Sequence, residues 1–249
     1  MEKNKIYIIL PCYNEEKNIA LLIQDWLKEL KSLKNKIDYE IVVVDDGSQD
    51  KTKVIASKMS EENNVSVISH SKNKGLGEVL NTGINYVLHQ NDGSYICIMD
   101  ADQTHRPKYI HSMLNKMNEK NYGCVIASRY EKGAKVEGLS KDRIILSYCA
   151  RVLYQLVFRV KGVKDYTCGY RLYNVECVER LKQKYGEQII EESSFACMAE
   201  LLYKLAKEEC TFAEIPFTLK YQLKEGTSKM QIIKTIKRSV RTLVKLRFS

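Results

Sequence analysis

No C-x-x-C pair occurs among the eight cysteines of this 249-residue sequence, at positions 12, 97, 124, 149, 168, 177, 197 and 210. Most stand inside apolar segments, so they read as small buried hydrophobes of a reducing compartment rather than disulfide partners or zinc ligands. The four histidines (70, 89, 105 and 111) have no metal-binding spacing. No uncharged run approaches the ~20 residues that span a bilayer. The apolar stretch behind Met1-Glu2-Lys3-Asn4-Lys5 is too short for the core of a signal peptide. No G-x-G-x-x-G follows the first apolar segment and no G-x-x-x-x-G-K-[ST] is present, which excludes a dinucleotide fingerprint and a P-loop. Neither an internal repeat nor a low-complexity linker interrupts the chain.

Acidic charge is nearly missing from one region. Residues 224–249 hold eight Lys/Arg against the single acid Glu225, so they carry +7 of the net +9. The preceding 223 residues are close to neutral. Ile232, Ile236, Val240, Leu243 and Val244 make an apolar stripe flanked by these cations, the pattern of a helix lying on an anionic surface. We expect a membrane surface there and no nucleic-acid partner.

What is present begins with a β-α-β-α rhythm. Apolar runs at Ile6–Leu10, Ile41–Val44, Val65–Ile68, Tyr95–Met99 and Val125–Ala127 read as strands, the first stopped by Pro11. Helical spacing falls at Glu15–Leu30, after Asp50 to Met59, at Gly75–Leu88 and at Pro107–Met117. The expected class is α/β: a mostly parallel sheet with helices on both faces. After residue 130 the rhythm breaks. Gly133–Gly138 reads as a charged loop and 140–160 as a long helix, greasy except for Arg143, Ser147 and Arg151 at i, i+4 and i+8. Another helix follows at Phe195–Ala206, a strand at 211–219, and a basic amphipathic helix at 231–248. Residues 1–223 are expected to form one catalytic domain, with 224–249 as its tail.

The chemistry concentrates where strands end, the edge at which open α/β sheets bind ligands. Asp100-Ala101-Asp102 follows the fourth strand, and carboxylates two residues apart on extended backbone point the same way, towards one hard divalent cation. Asp45-Asp46 ends the second strand. Pro11-Cys12-Tyr13-Asn14-Glu15 turns from the first strand into a helix, with Asn14 as a candidate N-cap. Asn73-Lys74-Gly75-x-Gly77 suits a phosphate at a helix start. Asp165-Tyr-Thr-Cys-Gly169-Tyr-Arg171 joins an acid, a glycine and an arginine, the pattern of a salt-bridged turn. His105 lies three residues past Asp102 and either joins the site or packs locally.

In order along the chain, these segments resemble glycosyltransferase family 2, with its GT-A fold. The likeness is strongest to the polyprenyl-phosphate hexosyltransferase branch, which includes dolichyl-phosphate mannosyltransferase. It is carried by Pro11–Glu15, Val43–Ser48, Asn73–Gly77, Met99–Pro107, Ala127–Tyr130, Asp165–Arg171 and Gly226–Lys229. The resemblance implies that Pro11, Tyr13, Glu15, Val44 and Asp46 form a nucleoside pocket. Asp100, Ala101 and Asp102 would hold the diphosphate, with Mg²⁺ or Mn²⁺ on Asp102 and Asp100. Arg129 and Lys229 would contact the donor phosphates, and Arg143 and Ser147, with Arg151 along the same stripe, the acceptor phosphate. Thr104 stands where the family often has glutamine, and Leu223 where it has an arginine.

The implied reaction is transfer of mannose or glucose, from a GDP-mannose or UDP-glucose type of donor, to a polyprenyl phosphate; the Arg143-Ser147-Arg151 stripe and the lack of an obvious catalytic base predict inversion. The implied place is the cytoplasmic face of a membrane, reached peripherally through the tail or through a separate membrane subunit. The alternative is transfer to a sugar hydroxyl, which needs a general base such as Glu200 or Asp165.

Overall fold

A computed structural model describes residues 4–33 and 36–221. Four strands alternate with helices in its first half: β1 (Asn4–Cys12), α1 (Ile19–Leu33), β2 (Ile37–Asp45), α2 (Thr52–Glu62), β3 (Val65–Ser69), α3 (Leu76–Gln90) and β4 (Tyr95–Ile98). A 3-10 turn at Pro107–Tyr109 leads into α4 (Ile110–Lys120), then β5 (Cys124–Ser128), β6 (Lys135–Glu137) and α5 (Lys141–Phe158). The described chain closes with β7 (Arg171–Asn174), α6 (Val175–Tyr185), α7 (Cys197–Lys207), β8 (Phe212–Pro216) and β9 (Thr218–Lys220).

The main sheet has the order β3-β2-β1-β4-β7-β5-β8, with helices on both sides. All pairings in it are parallel except the two that β7 makes, with β4 and with β5. Ile6–Leu10 and Ile41–Val44 are fully buried, as near-continuous apolar runs in a covered parallel sheet should be. Ile19, Leu22, Ile23, Trp26, Leu27 and Leu30 form the buried face of α1, the same stripe that the sequence spacing marks.

The outcome differs from the sequence reading at several places. β1 runs through Pro11 to Cys12. β4 pairs with β1 only at Ile6–Ile9, so beyond Ile9 β1 has β2 as its one ladder partner, and a residue without an N–H is tolerated. The sequence pattern signals neither β7 nor α6, and β7 wedges an antiparallel strand between β4 and β5. The 133–138 loop contains β6, which pairs in parallel with β9 as a separate ribbon. The strand expected at 211–219 divides there because Phe217 turns into the core and stacks on His105 at 5.3 Å. Seven cysteines are buried as expected, but Cys149, on α5, is exposed. Among the described residues no helix is long and apolar enough to cross a membrane. Lys229, Leu223 and the 224–249 tail lie outside the described residues.

Candidate functional site

The carboxyl ends of β1 and β2 open into loops that are latched together. Asn14 adopts a left-handed φ of 53°. Its backbone N–H donates to Ser48 Oγ at 2.8 Å, and its side-chain Oδ1 accepts from the Gln49 N–H at 2.8 Å. Asn14 is therefore a cross-loop latch, not the N-cap the sequence suggests. Glu15 N–H donates to Thr52 Oγ1 at 2.7 Å, and Glu16 N–H to Asp50 Oδ2 at 3.1 Å. The latch leaves Pro11, Tyr13 and Glu15 partly exposed along the rim.

Val44 and Asp46 lie beneath that rim. Val44 is wholly buried within the sheet. Asp46 accepts the backbone N–H groups of Lys74 and Gly75, each at 2.9 Å, and sits 2.8 Å from His70 Nδ1. Its carboxylate thus holds the loop before α3. That loop is pressed from the other side by residues 190–194: a Cβ on Gly77 would run into the Glu192 carbonyl, and one on Gly75 into that of Ser193. The glycines of this segment allow two backbones to meet, where the sequence pattern suggests a phosphate site.

Asp100 and Asp102 stand, partly exposed, at the carboxyl edge of β4, with Ala101 buried between them. Asp102 Oδ1 accepts from the Thr104 hydroxyl at 2.6 Å and from its N–H at 3.2 Å. Asp100 packs against Gly169, where a Cβ would lie 2.7 Å from Asp100 Oδ1. The 165–171 segment can therefore close on the acidic pair only because residue 169 has no side chain. Two hard carboxylate oxygen donors at one edge suit Mg²⁺ or Mn²⁺. No group of three or more His, Cys, Asp or Glu ligands exists among the described residues. A cation held here would complete its shell from diphosphate and water, as Mg²⁺ usually does.

Arg129, just past β5, completes the edge. Its Nε donates to Asp165 Oδ2 at 2.8 Å and its Nη2 to Asp165 Oδ1 at 2.6 Å, a bidentate fork reinforced by the Arg129 N–H at 3.0 Å. Nη2 also reaches Thr167 Oγ1 at 2.6 Å. Burial alone would raise the Asp165 carboxyl; the charge and hydrogen bonds of Arg129 outweigh it and hold the group below the usual carboxylate range. The acid thus pairs with Arg129 and not with Arg171 of its own segment. Arg171, fully buried, instead donates to the carbonyls of Cys168, Met198 and Tyr166 at 2.7–2.9 Å. It pins the loop from below. Glu214 Oε1 accepts the N–H groups of Lys164 and Asp165, each at 2.7 Å, a support that no sequence motif signals.

The polar stripe of α5 lies on one side of this edge. Tyr130, next to Arg129, reaches Ser147 Oγ at 2.5 Å and its carbonyl at 3.0 Å. Arg151 stacks over the Tyr130 ring at 4.7 Å, and its buried Nε has no hydrogen-bond partner among the described residues. Arg143 donates to the Tyr221 hydroxyl. Ser147 and Arg151 are therefore joined to Arg129 through Tyr130, over whose ring Arg129 also lies. The rest of the helix is greasy and open: Ile145 is 60% exposed, Tyr148 56% and Leu156 63%, with Ile144, Leu146, Val152 and Leu153 also exposed. Glu200, by contrast, is far from available. It is buried, paired with Lys204 at 2.7 Å, and accepts the N–H groups of Glu191 and Glu192.

Comparison with known proteins agrees with the fold. The family model described as Glycosyl transferase family 2 matches residues 7–182. A dolichol-phosphate mannosyltransferase of Pyrococcus furiosus is 30% identical over 228 residues, covering 91% of this chain and 59% of that protein. The chain thus spans about three fifths of that relative's length. A polyprenol monophosphomannose synthase of Mycolicibacterium smegmatis is 27% identical over 225 residues, 90% of this chain and 80% of the other. Among solved structures, glucosyl-3-phosphoglycerate synthase from Mycobacterium tuberculosis, in complex with Mn²⁺, UDP and glucosyl-3-phosphoglycerate, shares the fold. Its TM-score is 0.66 at 16% identity, over 98% of this chain and 80% of that one.

Proposed function

As the chain belongs to glycosyltransferase family 2, we propose that it moves a hexose, mannose or glucose, from a nucleotide diphospho-sugar to a polyprenyl phosphate, with inversion at the anomeric carbon. The observation that carries this reading is α5. A helix that sets Arg143, Ser147 and Arg151 in one stripe, while leaving seven large apolar side chains in solvent, suits an acceptor that is a phosphate at one end and a hydrocarbon at the other. Exposed apolar surface of this kind marks an interaction site. The relatives' names point to the same acceptor class.

The nucleoside would lie on the rim of Pro11, Tyr13 and Glu15, with Val44 and Asp46 supporting the loops behind it. Asp102 and Asp100 would hold Mg²⁺ or Mn²⁺, which when bound withdraws charge from the diphosphate leaving group. Arg129, held rigid by Asp165, offers a fixed cation where that charge develops, so no reorganisation is needed as the bond breaks. Lys229 is proposed as a second such cation. The acceptor needs no general base: a phosphate monoester carries about −1.5 to −2 charge at neutral pH and is already a nucleophile. It needs cations to steer it, and Arg143 and Arg151 would supply them. The hydroxyl-acceptor alternative loses support, because the two carboxylates put forward for it, Glu200 and Asp165, are committed to cations and backbone amides.

The apolar face of α5, together with the basic 224–249 tail, would hold the enzyme peripherally on the anionic cytoplasmic face of a membrane, alone or with a membrane subunit. The test is transfer from radiolabelled GDP-mannose and UDP-glucose to a short polyprenyl phosphate in detergent. Label entering the organic phase, and lost with EDTA and in Asp102→Ala, is the expected result. Label entering only water-soluble sugars, with Arg143→Ala fully active, refutes the lipid-phosphate reading. A product of retained configuration refutes inversion.

A further inference from the structure

Between the acidic pair and Arg129 runs a line of side chains to which the transfer chemistry gives no part. The Thr104 hydroxyl has one hydrogen, and the 2.6 Å bond to Asp102 Oδ1 uses it. Thr104 Oγ1 must then accept from its other neighbour, so His105 Nδ1, 3.2 Å away, carries the ring hydrogen. His105 Nε2 is left with its lone pair, and it faces Cys168 Sγ at 3.7 Å. The thiol donates to it. Cys168 is anchored in turn, its backbone N–H donating at 3.0 Å to Asp165 Oδ1, the oxygen that also accepts from Arg129 Nη2. For a neutral imidazole, one set of hydrogen positions satisfies the whole line. The imidazole has no room to leave it: it is buried, stacked on Phe217 at 5.3 Å and edge-on to Tyr170 at 5.9 Å.

We propose that Thr104, His105 and Cys168 are positioning residues, forming a buried hydrogen-bond chain that fixes the rotation of the Asp102 carboxylate and ties it to the Asp165–Arg129 clamp. The proposal rests on the reading of Asp100 and Asp102 as a divalent-cation site. A carboxylate without such a chain rotates, and its two oxygens are interchangeable. Here Oδ1 is turned onto Thr104, so the two oxygens are no longer equivalent. The same chain makes the spacing between the cation and the Arg129 guanidinium a property of the fold. His105 acts through its neighbours and is not itself a ligand: its Nδ1 hydrogen is directed at Thr104, and Asp100 Oδ2 is 3.9 Å away. The chain uses Thr104 where the family often has glutamine.

Mn²⁺ binding tests this without reference to turnover. Mn²⁺ would be titrated into the purified protein with saturating GDP and, separately, UDP, followed by electron paramagnetic resonance of the free ion. Loss of an outer partner of a metal ligand costs about 10- to 100-fold in affinity, so Thr104→Val and His105→Phe should weaken Mn²⁺ by at least about ten-fold. Thr104→Ser keeps the hydroxyl and should stay within about two-fold of the parent. His105→Asn, whose amide N–H can replace the Nδ1 hydrogen, should recover part of the loss. Melting temperatures identify any variant that fails to fold. Thr104→Val and His105→Phe that fold and bind Mn²⁺ as tightly as the parent, while Asp102→Ala does not, would overturn the chain. Unchanged binding in Asp102→Ala would instead remove the metal site, and the proposal with it.

Discussion

Replacing Asp165 with asparagine removes one charge and almost no volume, and the structure says what that should cost. The carboxylate is fully buried and the Arg129 side chain is 18% exposed. Asparagine keeps one acceptor oxygen but turns an NH₂ group towards the guanidinium where the second oxygen stood. Breaking one side of a buried pair costs about 3–5 kcal/mol, because the remaining charge stays desolvated. Taking the lower end, since Arg129 keeps some solvent, gives about 3 kcal/mol, or a fall of about 6–12 °C in Tm at this chain length. The effect should depend on pH with a definite sign. The folded-state pKa of Asp165 is depressed, so its contribution is present in full above the ordinary aspartate value of about 3.9 and is lost as pH falls below it. The Tm gap between parent and Asp165→Asn should therefore be widest at about pH 6–7 and narrow towards about pH 3. Circular dichroism melts across that range are the assay. Two results refute the clamp as argued. One is a gap under about 2 °C at neutral pH, which at this chain length corresponds to less than about 1 kcal/mol. The other is a gap that does not narrow in acid.

Three further outcomes follow from the same geometry. Arg143→Ala should lower kcat/KM for a polyprenyl phosphate by about ten-fold or more, the worth of one charged hydrogen bond, while nucleotide binding measured by calorimetry stays unchanged. Ile145→Asp with Leu156→Asp, at positions 60% and 63% exposed, should shift Tm by little, since exposed sites move stability by about 0.5 kcal/mol or less. The same pair should cut cosedimentation with anionic vesicles. Gly77→Ala should destabilise by about 1–3 kcal/mol, because the new methyl meets the Glu192 carbonyl, and a chemical denaturation midpoint reads it directly.

Strand ends carry most of what the sequence makes visible. Asp100, Asp102 and Arg129 each follow a short apolar run that reads as a covered strand, so position and chemistry are read together. The stripe Arg143-Ser147-Arg151 is visible because helical spacing puts the three on one face. What stays hidden has physical causes. β7 is four residues long and antiparallel, too short for a period, and its place between β4 and β5 depends on Arg171 finding the carbonyls of Cys168, Met198 and Tyr166. Asp46 and Gly75 look like ligand contacts in a sequence because an acid and a glycine at an element boundary serve ligands and loop packing equally well. Only the folded chain shows that the Asp46 carboxylate accepts backbone N–H groups of the neighbouring loop. Asp165 and Glu200 mislead in the same way: an acid near a site reads as a base until its partners are known.

Those partners bear on the chemistry. A general base must hold a lone pair towards its substrate and gain a proton during the reaction. Asp165 could do so only by breaking its buried ion pair with Arg129, and Glu200 only by breaking its ion pair with Lys204 and two backbone hydrogen bonds, each at a cost. That penalty is of the size of the barrier reductions a base supplies, about 10²- to 10⁴-fold, so neither residue gains anything by serving. An acceptor that arrives already ionised removes the need. The cations beside the site, and the greasy surface of α5 that carries two of them, are what such an acceptor requires. With the proposed ionised acceptor, the commitment of the two buried acids and the exposure of the apolar helix answer one requirement, and Glu200→Gln separates that reading from the alternative. It should lower stability through Lys204 while leaving the pH dependence of transfer unchanged, whereas a catalytic base at this position would take the alkaline rise in rate away with it.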